Sequence, residues 1–285
     1  MTMTLTHRIA HITDTHIPDH GMLYGVLDSF GNLERALATA GTLEPGVDVL
    51  LLTGDLADLG QPAAYDRLRG AVEATADRLG IPAIFGNGNH DERGAFRVGL
   101  LDQPASEEPI DYVVDIGGLR FVMLDSTALD GHHGEVLPGQ LDWLGEVLAT
   151  PAPHGTVLAM HHPPLKWPAV HSPLNGDKTR AESAGIGDPS VLGEVVRGSD
   201  VRVVVSGHLH DTRTGTLAGI PVFAGASTAN AMRAADRFEA LPSSRMSIHD
   251  LYDDGSVVTF TVDLAPPAQA LAWTYDQLRE HYAHL

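Results

Sequence analysis

The chain has 285 residues, 43% of them apolar, and a mean hydropathy of −0.03, enough to bury a sizeable core and inconsistent with disorder. Its formal charge of −19 excludes general binding to nucleic-acid polymers or to an anionic membrane, both of which need a basic face. Cysteine is absent, so neither disulfides nor thiolate metal sites can form.

The first half alternates strand and helix signals. Residues 8–13 predict a strand, 27–40 a helix, 47–53 a buried strand, 62–79 a helix, 81–86 a strand and 92–101 a helix. The 62–79 segment has Pro62 in its first turn, with Leu68, Val72, Ala76 and Leu79 near helical spacing. Such alternation implies parallel strands joined by crossovers. From residue 110 the pattern changes: IDYVVDIGGLRFVMLDS predicts a hairpin about Gly117-Gly118. A helix at 138–149 and a strand at 155–160 follow, then strands at 201–206, 213–217, 220–224, 246–252 and 256–263, taken as mostly antiparallel. Helices outside a core of two mixed sheets accommodate both halves.

Residues 163–189 hold several prolines and glycines and no period. They predict a lid or substrate wall, with an ordinary surface insertion as the competing reading. Ala265-Pro266-Pro267-Ala268 breaks the chain before a last amphipathic helix at 268–283, whose Leu271, Tyr275, Leu278 and Tyr282 share a face. The expected organisation is a catalytic domain over 1–264 and a helical extension over 265–285. The opening MTMTLTHRIAHIT has neither a basic region nor a long apolar run, so a cytoplasmic protein is expected.

Five segments place metal-binding side chains where an apolar run meets a loop. They are Asp14-Thr15-His16, Gly54-Asp55-Leu56-Ala57-Asp58, Gly88-Asn89-His90-Asp91, Met160-His161-His162 and Gly207-His208-Leu209-His210. Carboxylate, amide and imidazole donors without thiols suit iron, manganese, zinc or cobalt. Two cations about 3.5–4 Å apart need a bridging ligand, and Asp55, at the exit of the most hydrophobic strand, is the natural one. Asp14, His16 and His210 would complete one ion, and Asn89, a histidine of the 161–162 doublet and His208 the other. The doublet alone does not choose between its members.

Two ligand carboxylates and a bridging hydroxide give roughly three negative charges against four or five positive ones, so the site suits an anionic phosphate within an acidic protein. A metal-bridging hydroxide is a competent nucleophile near neutral pH. His90, beside a ligand, is the expected catalytic non-ligand, stabilising the transition state or protonating the leaving alkoxide. Asp58 and Asp91 either orient ligands or only tie loops together. His132 and His133 are candidates for contact with base or ribose. Of sixteen histidines, His7, His20, His154, His249, His281 and His284 read as surface or internally satisfied residues.

The ordered set D-x-H, G-D-x-x-D, G-N-H-D, a histidine segment and G-H-x-H resembles the calcineurin-like metallophosphoesterases. TGDLADLGQPAAYDRLRG, GNHDERGAF, GHHGEV, MHHPPL and VRGSDVRVVVSGHLH narrow the resemblance to the class III cyclic nucleotide phosphodiesterases, in particular their mycobacterial branch, over roughly residues 8–225. This resemblance implies a four-layer αββα sandwich, a dinuclear centre with iron and manganese (or zinc or cobalt), and hydrolysis of 3′,5′-cyclic AMP or GMP to the 5′-nucleotide. It assigns the ligand role to His161 and implies a homodimer as one assembly. It leaves 2′,3′-cyclic nucleotides or glycerophosphodiesters as the alternative substrates. A non-catalytic scaffold of the same fold would have lost ligands or the catalytic histidine, and all are present here.

Overall fold

The structure, a computed structural model, describes residues 3–129, 131–165, 185–234, 238–241 and 243–264. Two sheets pack face to face. The first contains β1 (Leu5–Ile12), β2 (Val49–Thr53), β3 (Ala83–Gly86), β12 (Arg245–Tyr252) and β13 (Val257–Asp263), in the order β13-β12-β1-β2-β3. The strands β1, β2 and β3 run parallel, and β12 and β13 add antiparallel at the other edge. The second contains β4 (Tyr112–Ile116), β5 (Leu119–Met123), β6 (Thr156–Ala159), β7 (Val201–Ser206), β8 (Arg213–Leu217) and β9 (Ile220–Ala224), ordered β4-β5-β6-β7-β9-β8.

Helices α1 (Ser29–Ala40), α2 (Pro62–Leu79) and α3 (Arg93–Leu100) cover the outer face of the first sheet. There Leu33, Leu37, Leu68, Val72 and Phe96 meet Ala10, Ile12, Leu50 and Leu52. Helices α4 (Pro138–Leu148) and α5 (Pro189–Val196) cover the second sheet, with Leu144, Leu148, Leu192 and Val196 against Val122, Leu158, Val204 and Val222. Between the sheets lie Ile9, Val49, Leu51, Ile84, Phe121, Met123, Val157, Ala159, Val203 and Val205. The result is the αββα sandwich. It explains why β2, VLLLT, is buried at every position: a strand covered on both faces cannot alternate apolar and polar residues.

Several predicted elements change. The first strand begins at Leu5, extended by its pairing with β12. Strand β9 runs parallel to β7, reached through the β8 hairpin, so the late chain is less antiparallel than its spacing suggests. A short hairpin of β10 (Ala231–Ala234) and β11 (Phe238–Leu241) was not expected. The long 163–189 loop gives up its last residue to α5, with Asp188 accepting from the Ser190 N–H and Pro189 opening the helix. Most of that loop, 166–184, and the helix expected at 268–283 lie outside the described residues.

Candidate metal centre

The loops bearing the candidate ligands leave the carboxyl ends of β1, β2, β3, β6 and β7, where a mixed α/β sheet gathers its functional groups. The first two are tied together by their backbones: Asp14 N–H donates to Gly54 O, His16 N–H to Asp55 O and Ile17 N–H to Leu56 O. Asp14, His16, Asp55, His208 and His210 all have positive φ, between 41° and 68°. Asp, Asn and His tolerate this left-handed backbone better than other side chains. Gly54, at φ +102°, would collide with Nδ1 of His161 if it carried a Cβ.

Asp14, His16, Asp55 and His210 converge, all buried, with one ligand atom from each within 4.8 Å of the others. Nε2 of His16 lies 3.0 Å from Nε2 of His210 and 3.6 Å from Oδ2 of Asp55. Nε2 of His210 lies 3.4 Å from Oδ1 of Asp14. Nδ1 of His210 is 3.1 Å from the carbonyl of Asn230 and donates to it. Nδ1 of His16 faces Oδ1 of Asp58 at 3.2 Å. With both Nδ1 positions committed elsewhere, the two Nε2 atoms face each other across 3.0 Å beside the Asp14 and Asp55 carboxylates, and two imidazoles with two carboxylates are a donor set that fits a metal.

Oδ2 of Asp55 also faces Nε2 of His161 at 3.3 Å, and that nitrogen is 3.2 Å from Oδ1 of Asn89. Nδ1 of His161 donates to the carbonyl of Thr53 at 2.9 Å, which turns Nε2 toward Asp55 and Asn89. The ring of His208 lies 5.2 Å from that of His161. The other Asp55 oxygen, Oδ1, accepts the His90 N–H at 2.8 Å. A single oxygen, Oδ2, thus stands between the two groups of donors, a finer arrangement than a carboxylate spanning with both.

The charges follow from this crowding. Burial pushes the Asp14 carboxyl up to about 6, with Asp55 adding to the rise and His161 opposing it. Burial also acts to raise Asp55, but His161, His16 and His90 outweigh it and hold its carboxyl well below the usual range. His161 is desolvated, yet Asp55 and Asp14 carry it up to about 9. His210 is held well below its usual value by burial and by His16.

The doublet now divides. His162 contributes a ring atom to a group with His161 and His208, but both of its nitrogens are engaged. Nε2 donates to the carbonyl of His132 at 3.2 Å, and Nδ1 pairs with Ser126 Oγ at 3.1 Å. Burial and the neighbouring His161 push it down to about 3, so it stays neutral.

The His90 ring lies 4.7 Å from that of His16, and Nδ1 donates to the carbonyl of Asp58 at 2.7 Å. Its side chain is 28% exposed, so Nε2 is left for what enters from outside. Asp91 is a tie between loops, accepting from the N–H groups of Leu56, Ala57 and Gly88 and from Tyr65 OH. His132 sits at the mouth, its Nδ1 2.9 Å from Nδ2 of Asn89 and its ring 5.3 Å from that of His90. His133 instead lines a cavity of about 430 Å³ with Val136, Ile186 and Val191. Sequence reasoning missed the carbonyls of Thr53 and Asn230, which orient two imidazoles. Main-chain acceptors carry no residue signature.

Among the described residues no helix is long and apolar enough to cross a membrane. A family model described as calcineurin-like phosphoesterase matches residues 7–212. A cAMP/cGMP dual specificity phosphodiesterase from Mycobacterium tuberculosis is 45% identical over 224 residues, covering 77% of this chain and 67% of that protein. A probable cyclic nucleotide phosphodiesterase from Rhodococcus erythropolis is 42% identical over 222 residues, covering 78% and 71% respectively. A dimetal phosphatase from Danio rerio shares the fold at a TM-score of 0.59 and 16% identity, over 92% of this chain and 100% of that one. Matched over most of its length and at this identity, the chain belongs to the calcineurin-like phosphoesterases.

Proposed function

We propose that the protein hydrolyses 3′,5′-cyclic nucleotides, cAMP and cGMP, to 5′-nucleoside monophosphates at a two-metal centre, with residues 1–264 as the catalytic domain. The observation that carries the reading is Oδ2 of Asp55, set between Nε2 of His16 and Nε2 of His161 at 3.6 and 3.3 Å. The relatives named as cyclic nucleotide phosphodiesterases support the substrate class.

In this reading Asp14, His16, His210 and Asp55 hold one ion, and Asp55, Asn89, His161 and His208 the other. Iron and manganese are the proposed pair, because N and O donors without thiolate suit both, as they also suit zinc and cobalt. Two such ions, when bound, lower the pKa of water and neutralise charge on the phosphoryl oxygens. The protein's part is to hold geometry and a proton. The carbonyls of Thr53 and Asn230 and the carboxylate of Asp58 fix which nitrogen of each imidazole faces inward. Water adds to phosphorus, the P–O3′ bond breaks, and the departing oxygen takes a proton. In this reading His90 serves that last step: Nδ1 is committed to the Asp58 carbonyl, so Nε2 would present the proton to O3′.

A substrate panel tests the reading. Purified protein reconstituted with manganese and iron should turn over 3′,5′-cAMP and 3′,5′-cGMP well above glycerophosphodiesters. Negligible cAMP turnover beside 2′,3′-cyclic nucleotides or glycerophosphodiesters would move the assignment to a broad phosphodiesterase.

A further inference from the structure

Among the described residues, the buried faces of β1 and β12 carry a line of polar side chains that the catalytic reading leaves unused. His11 on β1 and His249 on β12 are both buried, at 1% and 0% exposure. Nδ1 of His11 lies 3.1 Å from Nε2 of His249. Nδ1 of His249 reaches Thr259 Oγ1 on β13 at 2.8 Å, and Nε2 of His11 reaches Thr53 Oγ1 at 2.7 Å. All four ring nitrogens of the pair are therefore hydrogen-bonded. Phe223 stands edge-on to His249 at 5.1 Å, and an added Cβ at Gly225 would lie 3.0 Å from Cε1 of His11, so the rings are confined. Burial holds both imidazoles well below their usual pKa, and they are neutral across the physiological range.

The line ends at a sensitive point. Thr53 is the last residue of β2 and precedes Gly54, whose φ of +102° is a conformation that only glycine adopts without strain. The carbonyl of that peptide takes the Nδ1–H of His161, and the residue after Gly54 is Asp55. The hydroxyl of Thr53 is hydrogen-bonded to His11, which ties the residue before this glycine to β1.

We propose that His11 and His249 are positioning residues for the metal centre, clamping the Thr53–Gly54 peptide so that His161 and Asp55 meet the ions in register. The proposal rests on His161 and Asp55 being ligands.

The test uses the full-length enzyme reconstituted with manganese(II), comparing Thr53→Val, Thr53→Ser, His11→Phe and His161→Ala. Manganese dissociation constants are read by electron paramagnetic resonance titration, and turnover of a nitrophenyl phosphodiester is measured at several manganese concentrations. Thr53→Val and His11→Phe should weaken one of the two manganese sites by about tenfold, with turnover recovering at saturating metal, while Thr53→Ser keeps parental affinity. Parental affinity at both sites in Thr53→Val, with only the melting temperature lowered, would overturn the proposal and leave the pair a packing feature. If His11→Phe fails to fold, the Thr53 pair alone decides. His161→Ala separates the two levels. Retention of both ions would sink the ligand reading itself; loss of one ion there, beside an unchanged Thr53→Val, would sink the clamp alone.

Discussion

The carboxylate of Asp58 lies 3.2 Å from Nδ1 of His16, and this acceptor keeps the opposite nitrogen of the ring aimed at His210. The Asp58 main-chain carbonyl does the same for His90. One residue thereby orients His16, a proposed ligand, with its side chain and His90, the proposed catalytic histidine, with its backbone. Asp58→Ala should therefore weaken the ion held by His16 about 10–100-fold and spare the orientation of His90. Metal titration of the variant, followed by activity at saturating metal, checks both halves. Unchanged affinity at both sites would reduce Asp58 to a loop residue.

Asp55→Ala removes the oxygen that stands between the two donor groups. Both ions should be lost together, and elemental analysis after desalting should find fewer than one per chain. Two retained ions would contradict the bridging role.

His90→Ala should keep both metals, because its Nδ1 is committed to the Asp58 carbonyl and the donors gathered about Asp55 do not include it. Turnover should fall by about 10²–10⁴-fold, the usual worth of a positioned general acid. Substantial loss of metal would make His90 a ligand instead.

Acid should destabilise the fold through the buried histidine pair. Burial takes His249 down to about 3 from an unfolded value of 6.5. Between those limits the unfolded chain binds a proton that the folded chain refuses, so stability is complete above pH 6.5 and drains away as pH falls toward 3. His11 is shifted in the same direction by burial and by His249. The loss for such a residue is on the order of a few kcal/mol. Urea unfolding of chelator-treated protein from pH 8 to 5 measures it with metal release excluded. His249→Phe should flatten the slope, and an unchanged slope would place the acid sensitivity elsewhere.

The layered fold was legible because β2 is an unbroken apolar run, the α2 helix carries its period openly, and the parallel half obeys the crossover rule. The donor residues were legible because each closes an apolar run. Other features depended on information that a local window lacks. The parallel pairing of β7 with β9 is a choice of sheet neighbour made across the β8 hairpin. The start of α5 was signalled by Asp188 and Pro189 but masked by the irregular loop before it. His249 was grouped with surface or internally satisfied histidines, and it is the second kind. Its partner His11 sits three residues before Asp14, a polar residue inside HRIAHIT, and only the register of β1 against β12 brings the two rings together. The single Asp55 oxygen shared by both donor groups depends on His90 N–H occupying the other, a contact between residues 35 apart.

The donors are divided between the sheets: Asp14, His16, Asp55 and Asn89 follow strands of the first, while His161, His208 and His210 follow strands of the second. The chain also returns from the second sheet to the first, placing β12 between β13 and β1. Each group of donors thus draws on both halves of the chain, and a cut between residues 90 and 160 parts Asp14, His16, Asp55 and Asn89 from His161, His208 and His210. Ions gripped from both sides would act as rivets through the middle of the sandwich, so prising the sheets apart and emptying the site become the same event.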